Sequence, residues 1–253
     1  MIDTHCHLSE FTETRLPEII DNAQKKGIYH LISVSACYED WAKNQHIAYQ
    51  YPMVYPAFGI HPLFRQNLPP QWQETLSGCL KILPHALVGE IGLDFYHTPD
   101  EIEKQEQINL FNTQIALAQQ YQRPLSIHCR KAHNECITLI KKQKFQYGGL
   151  IHNFSGSLNL AKQWIDLGFI LGIGTILLKE NSRLRKILAQ LPHTAWALES
   201  DAPFMQSENT PTTICHIALV AAQLLHKTPN EIAQQTNNNA LVLLKKTAIN
   251  GFH

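Results

Sequence analysis

Short apolar runs alternate along the chain with longer stretches whose apolar residues recur every three to four positions. The runs are MIDTHCHL at the start, IYHLISVSA (28–36), MVYPAFGI (53–60), HALVGEIGL (85–93), RPLSIHC (123–129), GGLIHNF (148–154), GFILGIG (168–174) and TAWALES (194–200). They are brief, mostly apolar and rich in branched residues, as strands covered on both faces are. Between them PEIIDNAQKKG, EIEKQEQINLFNTQIALAQQY, AHNECITLIKKQ and LNLAKQWIDLG read as helices, with Gly27 and Gly168 placed as C-terminal stops. On the longest of these, Ile108, Phe111, Ile115 and Leu117 form a core stripe. Eight such alternations predict an α/β fold, a (β/α)8 barrel of the TIM type, as a single domain over residues 1–253. A doubly wound open sheet is the competing architecture, but the first run is not followed by a Gly-rich phosphate turn. From Thr212 onward the pattern is helical. No linker, repeat or low-complexity tract divides the chain.

Composition narrows the function. Hydrophobic residues make up 44% of the chain, charged residues 17%, and the formal net charge is zero. That profile excludes a disordered chain and an overtly basic nucleic-acid coat, while leaving room for a local basic patch. No stretch approaches the ~18 continuous apolar residues of a membrane span, and the N-terminus lacks the pattern of a signal peptide. The six cysteines are scattered without a C-x-x-C pair, so they read as reduced thiols of a cytoplasmic protein. No obligate protein partner is evident.

The first run carries Asp3, His5 and His7 at alternate positions, which in a strand point to one face. Alone, this fits a polar face on an edge strand. In a barrel, however, the C-terminal strand ends converge on one rim. His5 and His7 lie toward the end of the first strand and Glu90 late in the fourth. His128 closes the fifth, His152 closes the sixth, and Asp201 follows the eighth. Four imidazoles and two carboxylates suffice for two divalent ions, with Glu90 suited to bridge them. Mixed nitrogen and oxygen ligands favour Zn, Mn, Co or Ni over Mg alone.

The segments DTHCHL, GIHP (59–62), GEIGLDFY (89–96), SIHCR (126–130), HNFSGS (152–157), GFILGIG and ESDAPF, in that order, resemble the signatures of the TatD family of metal-dependent deoxyribonucleases. The resemblance spans essentially the whole chain. It implies phosphodiester hydrolysis in DNA, at ends or single strands, by a divalent metal pair. It further implies that His5 and His7 bind one ion, Glu90 bridges, His128 and His152 bind the second, and Asp201 returns to the first. Asp201 would also accept the proton of the attacking water.

Around such a centre His61 is placed either to donate to a phosphate or to cap the turn before Pro62. Arg130 either pairs with phosphate in bidentate fashion or with a loop carboxylate. Asp94 and Glu199 adjoin proposed ligands and would orient histidines. Asp3 reads as a residue of that kind or as strand-mouth structure. Ser155–Ser157 reads as a helix N-cap. His30, His46, His85, His97, His193, His216 and His226 read as structural or surface residues. Two positions depart from the family: Asn153 stands where a cysteine is common, and Ser200 where a threonine is. The segment MQSENTPTT after Phe204 is also atypical. Two alternatives share the barrel, a hydrolase of a small amide, ester or phosphoester and an inactive metal-binding scaffold.

Overall fold

All eight apolar runs form strands in a computed structural model of the protein, in which residues 1–98 and 100–248 are described. Residues 99 and 249–253 of the expected single domain lie outside them. The strands are β1 (Ile2–Cys6), β2 (His30–Val34), β3 (Val54–Phe58), β4 (Leu87–Asp94), β5 (Leu125–Arg130), β6 (Gly149–Ile151), β7 (Phe169–Ile173) and β8 (Trp196–Leu198). They pair in sequence order, all parallel, in one eight-stranded sheet. The helices are α1 (Leu16–Lys25), α2 (Asp40–Gln50), α3 (Trp72–Ile82), α4 (Glu101–Tyr121), α5 (His133–Lys142), α6 (Leu158–Asp166), α7 (Arg183–Ile187), α8 (Thr213–Leu225) and α9 (Pro229–Ala248).

Several strands stop earlier than their apolar runs, and backbone conformation explains where. Asn153, Asp201 and Lys131 adopt the left-handed region, with φ of 48°, 56° and 58°. Asn and Asp tolerate that region because their short side chains hydrogen-bond locally. The chain turns out of the sheet there, so His152 and Asp201 stand past the ladder at the mouth, while Arg130 ends β5, paired with Asp94. Helix ends follow the expected signals. Asp100 caps α4 by accepting from the amides of Ile102 and Glu103, and Ser157 caps α6 by accepting from Leu160. Gly27 and Gly168 take φ of 74° and 81° after α1 and α6.

Alternation along β2 separates two layers of core. Leu31 joins the large cluster of strand and helix side chains that includes Phe111 and Ile115 of α4, with Ile108 and Leu117 packed against it. Ile32 and Val34 join a smaller cluster with Ala57, Leu87 and Leu150, to which Leu243 and Leu244 of α9 are added.

β1 and β8 form the seam. It is held by the Thr4 hydroxyl donating to Leu198 O at 2.9 Å and by backbone bonds just past the strands. Asp201 N donates to His5 O at 2.9 Å, and His7 N donates to Ala202 O at 2.7 Å. Buried Asp3 adds a third tie, accepting from Ser200 N at 2.9 Å and Ser200 Oγ at 2.6 Å. Closing the barrel thus fixes the backbone of three of the proposed ligands.

Candidate metal centre

Six residues proposed as ligands meet at the C-terminal mouth. His5 Nε2 lies 3.3 Å from His7 Nε2, 3.4 Å from Glu90 Oε2 and 3.9 Å from Asp201 Oδ1. His7 Nε2 is 3.5 Å from both Glu90 Oε2 and Asp201 Oδ1. His152 stacks on His5 with ring centres 3.6 Å apart and sets its Nε2 3.5 Å from Asp201 Oδ2. His128 Nδ1 lies 3.1 Å from Glu90 Oε1. Among the described residues, three overlapping sets place their donor atoms within 4.8 Å of one another: His5–His152–Asp201, His5–His7–Glu90 and His61–Glu90–His128.

The grouping differs from the implied one in two respects. His152 clusters with His5 and Asp201, whereas the resemblance pairs it with His128. His61, expected at the phosphate or as a turn cap, does accept from Leu63 N at 3.3 Å through Nδ1. Its Nε2, however, lies 3.9 Å from Glu90, which brings it into a donor set. His61 sits just past the end of β3, as His152 does past β6, and that was the available signal.

Behind the donors stands a second ring of polar groups. His5 Nδ1 lies 3.1 Å from Ser126 Oγ. His128 Nε2 lies 3.0 Å from Asp94 Oδ2, and that same oxygen is 2.9 Å from His97 Nδ1. His97 is therefore part of the constellation and not an isolated surface histidine. Glu199 Oε1 is 3.0 Å from His152 Nδ1, although the ring N–H is not aimed along a hydrogen-bond line. Glu199 Oε1 also accepts from Asn153 N at 2.6 Å. Histidine ligands are commonly oriented in this way by a carboxylate on the far nitrogen.

Charge in the site is sharply divided. Burial alone would push the Glu90 carboxyl up, but His5, His128 and His61 hold it well below the usual carboxylate range. Asp201 is likewise held low, because His152 and His7 outweigh its burial. Burial and the charge of His128 push His61 down to about 3, so its ring is neutral. Burial would also lower His128, but Asp94 and Glu90 raise it to about 9. Deep burial pushes Asp3 up to about 8 despite its bonds from Ser200, leaving it protonated at neutral pH. Glu90, Asp94 and Asp201, all held low by neighbouring imidazoles, then face those rings as carboxylates. Imidazole nitrogens and carboxylate oxygens converging in this way are a donor set that fits divalent cations.

Glycine packing shows how closely Glu199 is held. A Cβ added at Gly172 would lie 2.0 Å from Glu199 Oε2 and 2.5 Å from its Cδ. Gly172→Ala should displace that carboxylate, a movable side-chain end, and leave the barrel folded. The expected result is a 10- to 100-fold loss of divalent-metal affinity, roughly the effect of removing a histidine's orienting partner. Metal titration beside a thermal melt would check it, and unchanged affinity would show that Glu199 does not hold His152 for a metal.

The mouth opens into a cavity of about 580 Å³ lined by His7, His61, Glu90, His128, His152 and Asp201, with Arg130 and Lys179 at its edge. Arg130 forms no ion pair among the described residues; its guanidinium stacks 4.0 Å over the Tyr96 ring. Lys179 follows the short apolar turn Thr175–Leu178 after β7 and was not singled out from sequence, since a lone lysine there carries no pattern.

Two clamps from α4 also escaped the sequence. Gln107 accepts from Asp94 N at 2.8 Å and donates to Asp94 O, while Gln114 accepts from Ile60 N at 2.8 Å and donates to Ile60 O. Both are fully buried and seven residues apart, on one helix face. They fix the loops that carry Asp94 and His61.

Residues 2–245 match the family described as TatD related DNase. YjjV of Escherichia coli K12, named an uncharacterized metal-dependent hydrolase, is 31% identical over 96% of each chain. Its crystal structure superposes with a TM-score of 0.88 over 96% of this chain and 97% of that one. The human deoxyribonuclease TATDN3 is 30% identical over 97% of this chain and 95% of its own. The 3′-5′ ssDNA/RNA exonuclease TatD of Edwardsiella piscicida is 29% identical over 91% and 93%. A (β/α)8 barrel with its histidines and carboxylates gathered at one mouth, matched along nearly its whole length, belongs to the TatD-related DNase family of metal-dependent hydrolases.

Proposed function

We propose that the chain, working as a single barrel domain, hydrolyses phosphodiester bonds of DNA at ends or single-stranded stretches, using two divalent ions. The observation that carries this reading is the overlap of the donor sets, which share His5 and Glu90. His5 and His7 would hold one ion together with Asp201, Glu90 would bridge, and His128 would hold the other with His152, whose Nε2 also faces Asp201. Divalent ions held there would lower the pKa of a water from about 15.7 toward 7 and would offset phosphate charge. The carboxylate of Asp201, held ionised, accepts the proton of the attacking water. Asp94 and Glu199 keep the His128 and His152 rings turned toward the mouth. Arg130 and Lys179 are placed to meet phosphates at the rim, with His61 deeper at the centre.

The test uses single-stranded DNA labelled at the 5′ or the 3′ end, incubated with Mn, Zn, Co, Ni or Mg and with chelator. The expected result is metal-dependent shortening from one end, abolished by chelator. Intact strands with every metal, alongside turnover of a small p-nitrophenyl phosphodiester, would transfer the reading to a small phosphoester.

A further inference from the structure

Three exposed aromatic rings stand at the mouth, Phe64 and Phe204 lining its cavity and Tyr96 beneath Arg130, which lines it too. Phe64, Tyr96 and Phe204 are 52%, 56% and 45% exposed, on the loops after β3, β4 and β8. The backbone amide of each donates to a residue of the centre. Phe64 N donates to His61 O at 2.9 Å and Phe204 N to Asp201 O at 2.8 Å, while Tyr96 N donates to Asp94 Oδ1 at 3.1 Å. Each ring is thus one tight turn away from a candidate ligand or the carboxylate behind one. The rings also meet histidines of the centre edge-on, Phe204 against His7 at 5.0 Å and Phe64 against His61 at 6.0 Å. Tyr96 meets His97 in the same way at 4.9 Å. The mount of Phe204 is braced further by buried Asn209, whose side chain donates to Phe204 O at 2.6 Å and to Ser200 O at 2.8 Å.

Large rings held out in water on braced turns forgo the stabilisation that burial would give. Flat apolar faces beside cations are what a single nucleic-acid strand requires. The cations are present: Arg130 lies over Tyr96 and Lys179 lines the same cavity, and neither has an ion-pair partner among the described residues. A base inside a duplex has its faces stacked and its edge paired, so it must leave the stack before it can lie on these rings. An unpaired base meets them at no such cost.

We propose that Phe64, Tyr96 and Phe204 form a stacking rim that selects strands with unpaired bases next to the scissile phosphate. The rings set specificity by holding bases and take no part in proton transfer. This rests on the phosphodiesterase reading for its consequence in turnover, but not for its consequence in binding.

The experiment compares a fluorescent single-stranded oligonucleotide with an abasic strand of equal length and charge. Affinity is measured in chelator, where no cleavage occurs, and kcat/KM is measured with metal. Wild type is expected to prefer the base-bearing strand in both. Phe64→Leu, Tyr96→Leu and Phe204→Leu keep an apolar side chain but no ring. Each should lower that preference by about 5- to 100-fold, the range base–aromatic stacking supplies, and the triple variant should abolish it. Equal binding of the two strands by wild type, or an undiminished preference in the variants, overturns the rim. Preference in binding without cleavage of either strand upholds the rim and overturns the phosphodiesterase.

Discussion

Asp201→Asn should reduce kcat on single-stranded DNA by about 10²–10⁴, the contribution of a positioned general base, while metal content and DNA affinity change little. The amide keeps the shape of the carboxylate and one oxygen facing His7 and His5, whose Nε2 atoms lie 3.5 and 3.9 Å from Oδ1. The backbone is anchored independently of the side chain, because Asp201 N donates to His5 O and Phe204 N donates to Asp201 O. The variant should therefore fold as wild type does. What is lost is the ionised acceptor. His152, His7 and His5 hold the wild-type carboxyl below the usual range, so it stays charged at neutral pH. Rapid-quench turnover, metal analysis and a thermal melt on one preparation separate the alternatives. A variant with full metal and more than about a tenth of wild-type kcat would show that another group takes the proton.

How much of this was legible in sequence depends on the physics that fixes each feature. The strands were legible because a barrel wall buried on both faces demands apolar runs, and β1 to β8 coincide with those runs, only β4 and β5 passing their ends by one residue. His5, His7, Glu90, His128, His152 and Asp201 were legible because a barrel brings strand ends together whatever the detail of the loops. The supporting shell was not. Gln107 and Gln114 look like ordinary solvated residues of a Gln-rich helix, and only their burial against Asp94 and Ile60 reveals them as clamps. His97 lacked a partner in sequence because its contact is with Asp94, whose role is itself set by His128 across the β4–β5 pair. Ser200 could be read only as a small polar neighbour. In the fold its hydroxyl donates to Asp3 and accepts from Ala202 N, tying β1 to the loop that carries Asp201. Apart from the local Asp94–His97 contact, such features depend on side-chain partners far apart in the chain, which no local pattern encodes.

Glu90→Gln should strip the centre further than any other single change, lowering bound divalent metal from close to two ions per chain to one or fewer. Glu90 is the only carboxylate shared by two of the donor sets among the described residues. Its Oε2 faces His5 and His7, and its Oε1 faces His128. A neutral amide removes the negative charge that Glu90 presents to both donor sets, and its NH2 end repels a cation from whichever side it occupies. His128, raised by Asp94 and Glu90 against its burial, loses one of its two carboxylate partners. Breaking a buried pair in this way costs about 3–5 kcal/mol where no other partner remains; Asp94 at 3.0 Å limits the loss here. Turnover should then fall with metal content and recover in part at high metal, unlike that of Asp201→Asn. Elemental analysis of chelator-free preparations, followed by a metal titration of kcat, distinguishes the two. If Glu90→Gln retains two ions at wild-type affinity, Glu90 does not bridge, and the centre must be rebuilt around His61, His128 and Asp94 instead.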